Sequence, residues 1–230
     1  VIVDIALDRD QDNPQLIFES MNSTGRELTQ ADLIRNFILM GLEPKLQTDL
    51  YEKYWRPMEI EFGQEAYGTQ FDGFMRYYLT VKTGNLPNVH DVYDAFKGYA
   101  RAPEVADAGV EVLVADIRAT ARYFCAMALG AEQDPDLKMA FHDLRELKAD
   151  VTYPLLLELY HDYVAKALSK TEFVKSVRVV EAYVFRRAIC SIPTNSMDKT
   201  FATFTKSLQK DRYLESIEAT FLLLPSYRRL

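Results

Sequence analysis

Apolar residues recur along this chain at intervals of three and four, in runs separated by short polar breaks. Leu33, Phe37 and Met40 make one such face, Phe71, Phe74, Tyr78 and Leu79 a second, and Leu113, Ile117, Ala121, Phe124 and Ala128 a third. That spacing is the mark of helices that bury one side. The breaks carry start and stop chemistry. Asn13-Pro14, Pro87-Asn88 and Asp134-Pro135 put proline at or near a first helical turn, while Gly84 and Gly130 follow the last periodic residue of a run. Thr29 can cap a helix, with Asp32 three residues on in a capping-box-like arrangement. The pattern predicts helices from Pro14 to about Met21, Thr29 to Leu42, Leu46 to Phe62, about Phe71 to Gly84 and Pro87 to Tyr99. It continues with Val110 to Leu129, Asp134 to Leu147, Thr152 to Leu168, Thr171 to Cys190, Ser196 to Gln209 and Tyr213 to Leu223. Gly63 to Thr69, polar and glycine-flanked, reads as a loop, and Pro193-Thr194-Asn195 as a turn.

The expected fold is mainly α, an irregular array of about ten helices with no fixed repeat. Val1 to Leu7 reads as a strand with no sheet partner in the helical remainder, as if left from a truncated α/β domain. The chain therefore reads as a piece of a longer protein. Pro103 to Gly109, rich in alanine and acid, is the best internal boundary. The expected organisation is a remnant at 1–42, a helical subdomain at 43–102 and a second one at 103–230.

Composition narrows the function classes. A net charge of −7 speaks against a dedicated nucleic-acid-binding domain, though not against a local basic face. Cys125 and Cys190 lie far apart without metal-ligand spacing and read as free thiols of a reducing cytoplasm. No segment has the apolar length to span a bilayer.

The most informative stretch is Ile17 to Met40, a helix, a polar loop and a second helix. Asn22, Ser23, Thr24 and Gly25 offer backbone N–H groups beside a helix start, an arrangement that can hold a phosphate with Arg35 assisting. The same residues also make an ordinary capped corner, with Gly25 at positive φ. A second polar cluster joins Arg186 and Arg187, at a helix end where the dipole favours cations, to Asn195 and Lys199. These four are candidate contacts to DNA or a partner. All three histidines precede aspartate, at His90-Asp91, His142-Asp143 and His161-Asp162. Such doublets serve metal-dependent phosphohydrolases, but neighbouring helical residues point about 100° apart, so a doublet needs further ligands to make a site. His142 with Asp198 or Asp211 is one conceivable set, each beside ordinary surface charges. No Ser/His/Asp or Cys/His arrangement has local support, and no Walker or Rossmann glycine pattern occurs. The expectation is no catalytic and no metal-ligating residue. Tyr153-Pro154 and the aromatics Phe71, Phe74, Tyr77 and Tyr78 read as core rather than as base-stacking platforms.

Phe18-Glu19-Ser20-Met21-Asn22-Ser23-Thr24-Gly25-Arg26-Glu27-Leu28, followed by Ala31-Asp32-Leu33-Ile34-Arg35-Asn36, resembles the F-x-x-x-N-x-x-G-x-x-L … D-L-I-R-N signature of GmrSD-like proteins of type IV restriction and phage defence. Phe74 to Leu79, Val92 to Lys97, and Val184 to Cys190 with Thr194, Asn195, Lys199 and Phe201 are similar to that family's helical middle. The resemblance implies a preceding ParB/sulfiredoxin-like domain with a D-G-Q-Q-R motif for nucleoside triphosphate hydrolysis. It implies, in many members, a following HNH nuclease that uses a divalent metal. Neither motif lies in this chain. What the resemblance assigns to it is a non-catalytic helical region that couples the two, with no cofactor of its own. Asn22, Ser23, Thr24, Gly25 and Arg35 would then rim the nucleotide pocket. The flanking domains are the implied partners, DNA being reached through the parent protein; a homo-oligomer is compatible, and no membrane is involved. The other two readings are a self-contained metal-dependent phosphohydrolase built on the His-Asp doublets and a helical protein-interaction scaffold.

Overall fold

The computed structural model describes residues 28–192 and 197–222, without the side chains of 198, 199, 203 and 206. The expected opening strand, the helix from Pro14 and the turn at Pro193 lie outside the described residues. The elements are α1 (Gln30–Leu39), α2 (Pro44–Leu50), a π-turn (Tyr51–Trp55), α3 (Arg56–Thr83), a 3-10 turn (Val89–Asp91), α4 (Val92–Ala100) and α5 (Pro103–Ala108). They continue as α6 (Val110–Ala128), α7 (Pro135–Glu146), a 3-10 turn (Asp150–Thr152), α8 (Tyr153–Val164), α9 (Lys170–Ile189), α10 (Met197–Ser207) and α11 (Tyr213–Phe221). The architecture is mainly α, as the periodicity predicts. Among the described residues no helix is long and apolar enough to cross a membrane.

Local chemistry sets most helix ends. Asp134 caps α7 by accepting from the amides of Asp136 and Leu137, with Pro135 in the first turn. Ser169 and Glu172 form a full capping box at α9. Glu132, buried just ahead of α7, accepts from the amides of Gln133 (2.8 Å) and Asp134 (2.9 Å) and from the Tyr160 hydroxyl (2.6 Å). A buried carboxylate is tolerated here because both oxygens are occupied.

The central element is α3, 28 residues long and broken only at Gly63, whose φ of 73° and ψ of 159° are open to glycine alone. The expected loop from Gly63 to Thr69 is therefore helix beyond its first residue. The misreading has a physical cause: Gln64, Glu65, Gly68, Thr69 and Gln70 form an exposed polar face, and only Ala66 and Tyr67 of that stretch turn inward. Tyr67 fixes the kink, accepting a hydrogen bond from the Trp55 indole at 3.0 Å and packing its ring, tilted, 4.7 Å from that of Phe71. The π-turn ahead of α3 delivers Trp55 into the core with no exposed surface.

The core runs without interruption past Pro103–Gly109, where the chain forms α5. Phe62 and Phe74 of α3 pack on Phe124 of α6 at 5.8 and 5.5 Å between ring centroids, and Phe124 packs on Tyr153 of α8 at 5.2 Å. Polar ties reinforce the same seam. The Tyr78 hydroxyl donates to Asp116 (2.8 Å), Lys82 pairs with Asp116 (2.7 Å), and Arg118 pairs with Glu61. Phe71, Phe74 and Tyr78 are fully buried, so these aromatics are core residues. At the far end Tyr183, Phe201, Phe204 and Phe221 join α9, α10 and α11, with Phe221 4.9 to 5.2 Å from the other three rings.

Candidate functional site

The described part of the Ile17–Met40 stretch begins with the cap of α1. Thr29 accepts from the Asp32 amide (3.1 Å) and donates its hydroxyl to the Asp32 carboxylate (2.9 Å). The other first-turn amides, of Gln30 and Ala31, donate to the two carboxylate oxygens of Asp72 at 3.3 and 2.8 Å. Asp72 sits on α3, so the anion at this helix start is a side chain of the protein itself. A helix N-terminus favours negative charge, and here a carboxylate meets that preference. Gln30 passes the arrangement on: its side-chain oxygen accepts from the Tyr93 amide (2.7 Å) in the first turn of α4. One corner thus joins α1, α3 and α4.

Arg35 lies one turn further along α1, with 30% of its side chain exposed. Its guanidinium reaches Asp32 at 3.0 Å and Glu59 of α3 at 3.0 Å, and the second oxygen of Glu59 accepts from the Tyr51 hydroxyl (3.0 Å). Burial opposes the charge on Arg35, but Tyr67, Glu59 and Asp32 outweigh it and hold the pKa above the ordinary arginine value. The hydrogen bond to Glu59 raises the Tyr51 phenol as well. With two carboxylates around one guanidinium, the local charge repels an added phosphate. Arg35 lines an open groove of about 490 Å3 between α1 and α2, with Asn36, Leu39, Gln47, Thr48 and Tyr51. Asn22, Ser23, Thr24 and Gly25 lie outside the described residues.

The second cluster is partly described. Arg186 donates to the Phe221 carbonyl at the end of α11. Arg187 donates to the Tyr183 hydroxyl (3.2 Å) and lies 5.6 Å above that ring. Both residues are half-buried, Arg186 turned onto α11 and Arg187 onto Tyr183 of its own helix, a structural use of charge at a helix C-terminus. Asn195 and the Lys199 side chain lie outside the described residues.

The three His-Asp doublets stand on three different elements: the Val89–Asp91 turn, α7 and α8. His142 contacts Asp143 (3.2 Å), which Arg178 engages at 2.6 Å; His161 contacts Asp162 (3.1 Å), which Lys210 engages at 2.8 Å. Among the described residues no three His, Cys, Asp or Glu side chains converge as a metal ion would require. Cys125 is buried, and burial pushes its thiol up to about 12, so it is an unreactive core residue. Cys190 is half-buried on the end of α9.

The residues that organise the corner, Asp72 and Glu59, were not singled out by motif or spacing. The available signal was an acid at position 72 inside the aromatic stripe Phe71–Phe74–Tyr78, where a charge needs a partner. No protein-family model, curated protein or solved structure matches the chain.

Proposed function

We propose that this chain is the non-catalytic helical coupling region of a GmrSD-like, nucleotide-dependent and modification-dependent restriction protein active in phage defence. The family assignment is supported by the ordered resemblance from Phe18 to Asn36 and on to Phe201. The coupling role is supported by one observation above all. Asp72 and Glu59, both on α3, grip the start and the middle of α1, while the same helix packs through Phe62, Phe74 and Tyr78 onto α6. A displacement at this corner is then carried along one long helix into the C-terminal half. Coupling of this kind needs a rigid element that both sites bias.

In this reading Asn22, Ser23, Thr24 and Gly25 rim a nucleotide pocket completed by the preceding domain. Arg35 steadies that rim through Asp32 and Glu59 rather than by holding a phosphate. The nucleoside triphosphate and divalent metal act in the flanking domains, and DNA is reached through the parent protein. The test is the full-length protein. A D-G-Q-Q-R motif is expected upstream of Val1, with nucleoside triphosphate hydrolysis by the full-length protein and none by residues 1–230 alone. Hydrolysis by residues 1–230, or an upstream region without that motif, overturns the proposal.

A further inference from the structure

One face of α3, carrying Gln70, Gly73 and Tyr77, looks across at Phe124 of α6 and Tyr153 of α8, and Arg145 of the last turn of α7 and Lys148 just beyond it close one side. The space between is a cleft of about 390 Å3, a volume suited to a small molecule. Its floor is aromatic, with Tyr153 5.5 Å from Tyr77 and 5.2 Å from Phe124 between ring centroids. Gly73 faces open space, since a Cβ added there meets nothing within 4 Å.

Two of the lining groups face solvent without a partner among the described residues. Tyr153 is 9% exposed, its ring buried and its hydroxyl reaching solvent at the cleft with no hydrogen bond to the described residues. Lys148 is exposed and has no ion-pair partner among the described residues. It also holds a φ of 51°, just past the end of α7, where glycine is the usual residue. Arg145 beside it is anchored by donating to the Met127 carbonyl (2.5 Å). Against these two cations the lining offers one acid, Asp150, so the cleft carries a positive excess in an acidic protein.

We propose that this cleft binds a small planar aromatic molecule carrying one anionic group, its ring against Tyr77 and Tyr153 and its anion met by Lys148 and the Tyr153 hydroxyl. Ring stacking and a cation at the rim are the complementary halves of such a ligand. A nucleoside monophosphate and an aromatic carboxylate share this chemistry. Gln70 offers both a donor and an acceptor to a base edge, which the carboxylate does not need. The inference stands on the cleft alone and is independent of the coupling role.

Calorimetric titration of the full chain with AMP, indole-3-carboxylate, adenosine and inorganic phosphate tests it. AMP or indole-3-carboxylate is expected to bind at least tenfold more tightly than adenosine or phosphate, and the tighter of the two identifies the source of the anion. Lys148→Gly is expected to cost at least tenfold in that affinity while leaving the melting temperature unchanged or higher, because glycine accepts the left-handed backbone. Gly73→Leu is expected to fill the cleft and abolish binding. The proposal is overturned if neither anionic probe binds below millimolar concentration. It is overturned equally if binding by folded Lys148→Gly or Gly73→Leu matches that of the unaltered chain.

Discussion

Replacing Asp72 by alanine removes the carboxylate that receives the Gln30 and Ala31 amides, and the geometry sets the size of the effect. The Ala31 bond at 2.8 Å is a full-strength one, whereas the Gln30 bond at 3.3 Å is long. A hydrogen bond to a charged group contributes ~1.5–3 kcal/mol, and losing a helix cap typically costs ~1 kcal/mol. The site is part-buried, so water replaces some of what is lost, and the expected cost is about 2 kcal/mol. Asp72→Asn keeps one acceptor oxygen without the charge and should cost about half as much. Thr29 serves a different amide, that of Asp32, and cannot compensate. Urea unfolding followed by far-UV circular dichroism measures this directly. With an m-value of about 2.5 kcal/mol/M, Asp72→Ala should lower the midpoint by about 0.8 M at unchanged m. Thermal melting should fall by about 4–8 °C for a chain of this size. Glu65→Ala, on an exposed face of the same helix, is the control and should stay within about 0.5 kcal/mol of the parent. If Asp72→Ala behaves like Glu65→Ala, the carboxylate does not hold α1 and the reasoning about the corner fails.

Three further outcomes follow from the same contacts. Gly63→Ala should destabilise by about 1–3 kcal/mol in urea unfolding, because its positive φ and extended ψ exclude a Cβ even though the space around it is empty. The hydrogen bond from Arg178, and after it the contact with His142, hold the Asp143 carboxyl below the ordinary aspartate range. A depressed pKa contributes stability that is present above the unfolded value of about 4 and is lost as pH falls through the folded value. Asp143→Asn should therefore lower stability at pH 7 and converge with the parent in acid, as measured by urea midpoints from pH 7 down to 2.5. Cys125, with its thiol pushed up to about 12, should resist a thiol reagent at pH 8 in the folded protein and react on unfolding, read by mass spectrometry of the labelled peptide.

Much of the architecture was legible because it is written locally. Asp134-Pro135 and Ser169 with Glu172 start helices through bonds spanning two or three residues, and the stripe Phe71, Phe74, Tyr78 reports its own burial. The kink at Gly63 was obscured by the polar face beyond it, since periodicity weakens where only Ala66 and Tyr67 point inward. The corner of α1 was half legible. Thr29 and Asp32 are neighbours in sequence, but Asp72 and Glu59 act across 41 and 24 residues, and no short pattern records that. The same holds for Arg35, whose residue type suggests a phosphate while its surroundings supply carboxylates. The bonds of Arg186 to Phe221, 35 residues away, and of Arg187 to Tyr183 are likewise not recorded by any short pattern.

The central claim is that α3 carries a signal from the Asp72 corner to the C-terminal half, and it is tested most directly by comparing two rates in the full-length protein. Nucleoside triphosphate hydrolysis and nucleotide-dependent cleavage of modified DNA should both be followed for the parent, for Asp72→Ala and for the Glu65→Ala control, at a temperature where all three are folded. The account predicts that Asp72→Ala retains hydrolysis within about threefold and loses at least about thirtyfold of its DNA cleavage, a tenfold difference between the two rates or about 1.4 kcal/mol, while Glu65→Ala changes neither rate. Hydrolysis and cleavage that stay together in Asp72→Ala, both retained or both lost, would contradict it.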